Sequence, residues 1–250
     1  MDSSNLIETF ESRRDEQDLF YKHRLNSADQ LDCVFVEFEG PRELWAKGGV
    51  DNVCMFDTQH GTSSYDMKTG LFVTIDESGK TKILALSVLK SEDKPSFIWI
   101  FTMFALCFGS LPQVIFTDSD SAMFWALLEC WPTVLHFMCI FHLWKNFFEH
   151  LRPLFIHHPT EWQVLARKFW KIAKDSDISA RETFTAAFDD LVLYVVENTP
   201  DTPARVLVLA WLSELRERHG RWAAAWKWTV LTLGAHSTGP SEAVHSAVRN

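Results

Sequence analysis

Three short apolar runs stand in succession between Asn52 and Lys90: NVCMFDT, GLFVTID and TKILALSVLK. Each is short, rich in β-branched and aromatic residues, and bounded by polar or glycine positions, so each reads as a strand. ESGK, between the last two, has the composition of a hairpin turn. The stretch from Ser96 to Phe108 reads as a buried helix stopped by Gly109 and Pro112. A fourth strand, Val114-Ile115-Phe116, follows. A helical pattern then runs from about Asp120 to Cys130, and TVLHFMCIF (Thr133 to Phe141) is a fifth strand. The order β-β-β-α-β-α-β predicts a mixed α/β sheet. The helical connections make its first, fourth and fifth strands parallel.

That arrangement gives two acids a common address. Asp57 ends the first strand and Asp118 ends the fourth, and in open α/β sheets ligands bind at the carboxyl ends of such strands. Two close carboxylates repel unless a cation lies between them, and an oxygen-rich site suits Mg²⁺ or Mn²⁺. A pair of such ions can activate a nucleophile and stabilise the leaving oxygen of a phosphodiester. The structural alternative is that an acid at a strand end forms a turn or caps a helix. Asp120 fits that role, before Ser121-Ala122-Met123, with Ser119 and Ser121 able to share it. For Asp57 and Asp118 both readings stay open.

On either side the pattern changes. Ile7 to Leu25 reads as a polar helix, CVFVEF (Cys33 to Phe38) as a strand, and Pro41 to Trp45 as a short helix ended by Gly48-Gly49. Helical patterns run from Leu143 to about Leu233, broken near His157 to Pro159, Asp175 to Asp177 and Thr199 to Pro203. A last polar helix begins near Ser237 and is still running at Asn250, which raises the expectation of a fragment. Apolar residues make up 47% of the chain, with 20 Phe and 11 Trp, enough for a substantial core and against disorder. The longest apolar run, Phe97 to Phe108, is too short to span a bilayer. A charged N-terminus without a signal peptide and five scattered cysteines lead to the expectation of an intracellular, reduced protein without membrane partners.

The formal net charge of −9 speaks against a nucleic-acid partner, which usually selects a basic surface. One segment reverses it. Lys145, Arg152, Arg167, Lys168, Lys171 and Lys174 face only Glu149 and Glu161. These cations either track a DNA backbone or form a solvated helix face.

MFDTQHGTSSYDM (Met55 to Met67), VIFTDSDSAMFWALLECWP (Val114 to Pro132) and LHFMCIFHLWKNF (Leu135 to Phe147), in this order, closely resemble the catalytic domain of MULE (Mutator-like element) transposases. They resemble equally the plant FAR-RED-impaired-response relatives derived from them. Leu84 to Phe101 resembles the family's strand-then-helix segment. The resemblance implies a ribonuclease-H-like fold, interrupted by a helical insertion before the last catalytic helix. It divides the chain into a lead-in (1–50), a catalytic core (51–150), the insertion (151–233) and a truncated closing helix (234–250). It implies a DDE metal site for Mg²⁺ or Mn²⁺, with Asp57 and Asp118 as the first two acids. STGPSEAVHSAVRN resembles the family's serine-glutamate signature and points to Glu242 as the third, ahead of Glu214 and Glu217 in a charged helix. Cys139 and His142 match a C-x-x-H step near the family's active site. His142 is expected beside the site or on DNA, Cys139 mostly buried, and packing alone is the alternative for both. The chain has Gln59-His60 where the family usually has an aromatic residue, and His60 is either a phosphate neighbour or a loop residue. The family's zinc-binding DNA-recognition and SWIM modules have no counterpart in these 250 residues. The implied activity is cleavage and strand transfer at transposon ends in the nucleus, by a chain able to form homo-oligomers. The alternative is a transposase-derived, DNA-binding transcriptional regulator without catalysis.

Overall fold

In the computed structural model the described residues are 7–9, 11–12, 19–37, 40–46, 53–59, 67–76, 78–118, 120–174 and 181–227. They fall into two compact units, one made by the residues up to His136 and the other by those from Phe137 onward.

The first unit is organised by a seven-stranded mixed sheet, whose last strand crosses the boundary at His136. Its strands are β1 (Phe20–Leu25), β2 (Leu31–Glu37), β3 (Val53–Gln59), β4 (Lys68–Ile75), β5 (Thr81–Leu89), β6 (Val114–Thr117) and β7 (Leu135–Met138). Their order is β1-β2-β5-β4-β3-β6-β7. The expected meander is present, with β3, β4 and β5 antiparallel in sequence. The Asp76 backbone N–H and carbonyl close the β4–β5 turn onto Lys80 and Gly79, whose φ of 76° suits glycine. The expected parallel pairing of the first and fourth runs is also present, as β3 against β6.

The N-terminal region departs from expectation. Residues 7–9 and 11–12 are helical, but Phe20–Leu25 is a strand paired antiparallel with β2. Its polar residues imitate a helix surface in sequence, yet a partner strand decides the outcome. Asn26 helps by accepting the backbone N–H groups of Ala28 and Gln30 through its side-chain oxygen, which closes the β1–β2 turn.

Helices α1 (Pro41–Ala46), α2 (Lys94–Phe108) and α3 (Ser121–Cys130) accompany the sheet. Asp93 caps α2 through the Ser96 N–H, with Pro95 in the first turn, and Gly109 ends it with φ 69°. Asp120 caps α3, its Oδ1 accepting the Met123 N–H at 2.8 Å, as its position predicts. α2 is apolar almost throughout because it lies on a layer of rings. Phe56 and Phe72 of the sheet meet Phe97, Phe101 and Phe104 of the helix at centroid distances between 4.7 and 6.3 Å.

The second unit is helical: α4 (Ile140–Leu151), a 3-10 turn (Arg152–Phe155), α5 (Pro159–Lys174), α6 (Arg181–Asn198), α7 (Pro203–Glu217), a further 3-10 turn (His219–Arg221) and α8 (Ala224–Lys227). The predicted strand Thr133 to Phe141 is cut short. It spans Leu135–Met138, and the chain turns helical at Ile140. Ile140, Leu143, Phe147 and Leu151 lie at helical spacing and are all buried, so the last apolar residues of the run belong to a helix stripe. Those side chains pack with Leu165, Phe169, Phe188, Leu212 and Trp222. The Trp222 indole N–H donates to the Leu215 carbonyl at 3.0 Å, which satisfies the one polar atom of a fully buried ring. No helix among the described residues is long and apolar enough to cross a membrane.

Lys227 closes this core in an unusual way. It is 4% exposed, and its Nζ donates to the Ala173 carbonyl at 3.3 Å. Burial first, then the Lys174 charge, pull its pKa down from 10.5 to about 8. The ammonium is therefore harder to hold in the folded state than in the unfolded one. The penalty is fully present below pH 8 and is relieved as pH rises toward the unfolded value. Lys227→Met is expected to raise the urea midpoint at pH 7 and to leave it nearly unchanged at pH 10. An equal shift at both pH values would contradict this account.

Candidate functional site

The site builds from the β3–β6 pair. These strands run parallel in the register Val53↔Val114, Cys54↔Ile115 and Met55↔Phe116. Continued by two residues, it lays Asp57 beside Asp118, on backbones about 5 Å apart. Alternation along β3 puts Cys54, Phe56 and Thr58 on one face and Val53, Met55 and Asp57 on the other. Phe56 packs on α2, so Asp57 lies on the face away from that helix. The same alternation along β6 gives Ile115 to the helical side, and Phe116 with Asp118 to the Asp57 side. The two acids thus share one face, at the carboxyl ends of adjacent parallel strands.

Their environments differ. Asp57 is still within β3, paired with Leu71 of β4, and only 5% exposed. Asp118 lies one residue beyond β6 and is half-buried. Its Oδ1 accepts the Asp120 N–H at 3.0 Å, an Asx turn that orients the carboxylate and delivers Asp120 to its capping position. The paired acids of this segment therefore have separate tasks: one shapes the strand end, the other starts α3.

Two contacts around this edge are not legible in sequence. Thr58 Oγ1 donates to Glu92 Oε1 at 2.5 Å, fastening the last turn of β3 to the loop before α2. Thr117 Oγ1 donates to the Asp118 carbonyl at 2.9 Å and lies 2.6 Å from His136 Nε2 on β7. With the hydroxyl proton on the carbonyl, the imidazole is the donor of the second bond. Both pairs join residues far apart in sequence, so spacing carries no signal for them.

Glu242 and His60 fall outside the described residues. In the helical unit Cys139 is fully buried, directly before α4, and His142 is half-buried in that helix's first turn. Glu214 and Glu217 are exposed on α7. Lys145, Arg167, Lys171 and Lys174 are exposed, while Lys168 is ion-paired with Asp190 of α6. Arg152 lies over the Trp162 ring, 5.8 Å from its centroid, and Lys174 over Trp170 at 4.5 Å. Among the described residues no group of three or more His, Cys, Asp or Glu is placed to hold a metal ion. The two carboxylates alone form a donor pair of the oxygen chemistry that hard divalent cations take.

Residues 53–146, which contain both acids and the strands that carry them, match the MULE transposase domain family. Over this span the chain is similar to that family. The match spans β3 to the middle of α4 and so covers the meander, both crossover helices and β6–β7. Curated relatives from Arabidopsis thaliana extend it. Protein FAR-RED IMPAIRED RESPONSE 1 is 21% identical over 247 residues, 98% of this chain and 28% of its own length. Protein FAR1-RELATED SEQUENCE 5 is 23% identical over 147 residues, 58% of this chain and 18% of its own length. Putative protein FAR1-RELATED SEQUENCE 10 is 31% identical over 93 residues, 37% of this chain and 14% of its own length. The chain therefore spans less than a third of each of these relatives.

Proposed function

We propose that this chain is the core of a transposase-derived regulatory protein that binds DNA in the nucleus without cutting it. One observation carries the reading. The likeness to FAR-RED IMPAIRED RESPONSE 1 runs through 98% of the chain, across the sheet and the helical unit alike. The relatives are named for a far-red response rather than for a mobile element. The strand order β5-β4-β3-β6-β7 supports a ribonuclease-H-like arrangement for the core. The local excess of cations between Lys145 and Lys174 supplies a surface for phosphates within an otherwise acidic chain.

A second reading rests on the β3–β6 register. Asp57 and Asp118 would hold Mg²⁺ or Mn²⁺, with Glu242 as the family's third acid, and the cation would polarise a phosphodiester and activate its attacking oxygen. Asp57, buried and in the strand, would be the rigid ligand. Asp118, oriented by the Asp120 N–H, would be the adjustable one.

A cleavage and binding assay separates the two. The full chain is mixed with an end-labelled pool of random-sequence duplexes, in Mg²⁺, in Mn²⁺ or in EDTA. The regulator reading expects retained duplex that survives EDTA, strands that stay intact, and unchanged binding by Asp57→Asn and Asp118→Asn. Metal-dependent nicks that vanish in either variant would establish the second reading instead. Absence of any duplex binding would refute the first.

A further inference from the structure

We infer that the outer face of α4, with the turn that follows it, is a stacking strip for unpaired nucleotides of a DNA strand. The inference rests on the DNA-binding reading and adds the strand form that is recognised.

α4 carries a second stripe besides the one buried in the core. Ile140, Leu143, Phe147 and Leu151 are buried. Phe141, Lys145, Phe148 and Arg152 follow at intervals of four, three and four residues and therefore form a second stripe on another side of the helix. Phe141 is 50% exposed and Phe148 42%. Leaving two such rings in water forgoes the burial that the rest of this helix exploits. Phe148 is nevertheless held in place, edge-on to Trp162 at 5.4 Å and 86°. The Arg152 guanidinium lies over the same Trp162 ring. The stripe thus alternates ring, cation, ring, cation, with its two phenylalanines about 10 Å apart along the axis.

That alternation has a chemical complement. Cations spaced between aromatic faces match a strand whose phosphates and bases are both accessible. A duplex keeps its base faces inside the stack, so it can use the cations but not the rings. The stripe's own cations, Lys145 and Arg152, favour an anionic occupant, in a chain of formal net charge −9.

The test compares strand forms by fluorescence anisotropy with the full chain. Probes are a labelled twenty-nucleotide oligothymidylate, a duplex of the same length and an oligouridylate. Proteins are the wild type, Phe141→Ala/Phe148→Ala, and Phe141→Trp/Phe148→Trp, each checked for its far-UV spectrum and melting curve. Loss of a base–aromatic stack weakens binding roughly fivefold or more per ring, so the alanine pair is expected to lose about twentyfold or more on oligothymidylate. Its duplex binding stays within about twofold of wild type, and the tryptophan pair keeps single-strand affinity. Equal oligothymidylate binding by wild type and alanine pair overturns the strip, as does a wild type that binds duplex alone. Tighter binding of oligouridylate than of oligothymidylate overturns the DNA assignment in favour of RNA. A change in sedimentation of the alanine pair with no change in nucleic-acid binding marks the stripe as a protein contact and also overturns it. Failure to bind any probe removes the DNA-binding reading itself.

Discussion

Gly70→Val is expected to destabilise the sheet-bearing unit by about 4 kcal/mol or more, beyond the 1–3 kcal/mol typical of overpacking. Gly70 lies in β4 between Thr58 of β3 and Ser87 of β5. A Cβ there would stand 2.5 Å from Ser87 Oγ and 2.8 Å from two ring carbons of Phe56. Neither neighbour can withdraw easily. Ser87 Oγ donates to the Gly70 carbonyl at 3.2 Å, and Phe56 is packed by Phe72 at 4.4 Å and Phe101 at 5.5 Å. The clash falls one residue from Asp57, so what survives folding would carry a displaced acid. Urea unfolding provides the measurement. Gly70→Ala should fall by less, and Ser87→Ala should restore part of that loss by removing the nearer atom. A valine variant with a wild-type midpoint would show that the strands separate freely here.

Arg42→Met is expected to cost about 3–5 kcal/mol, the range for removing one partner of a buried ion pair. Glu37, at the end of β2, is fully buried. Its Oε2 meets Arg42 Nε at 2.8 Å, its Oε1 accepts the Arg42 N–H at 3.3 Å, and the Cys107 thiol donates to Oε2 at 3.9 Å. Without the guanidinium the carboxylate keeps its burial and loses its countercharge. Its charge also presses on Cys107, whose thiol is pushed up to about 12, chiefly by burial and then by Glu37. Glu37→Leu/Arg42→Met should recover most of the loss, because an apolar pair leaves no buried charge to compensate. If the double variant is no more stable than the single, the cost lies in packing of the Arg42 stem instead.

Much of the central sheet was legible because its strands are short and bounded by turns, while its helices announce themselves by caps. Asp120 shows this well: an acid three residues ahead of Met123 caps α3 where its position predicts. The N-terminal strand was not legible. FYKHRL has no apolar alternation strong enough to identify it, and only pairing with β2 makes it a strand. The end of β7 is hidden in the sequence for the opposite reason. Continuous apolar sequence hides the point at which a buried strand becomes a helix, and the stripe Ile140, Leu143, Phe147, Leu151 emerges only when the packing is known. At the site, strand order could be argued from chain order, but register could not.

By itself, then, the sequence determined the alternation of strands and helices, the acids at two strand ends, the helix cap between them and the likeness to MULE transposases. Those features are local in the chain, set by periodicity, capping chemistry and motif order. The tertiary structure decided which faces those acids occupy, that β1 and β2 extend the sheet beyond β5, that Lys168 is tied to Asp190, and that two rings of α4 stand outside the core. Such facts depend on pairing register and on which side of an element meets a neighbour. Both are settled by contacts between residues that no sequence spacing connects.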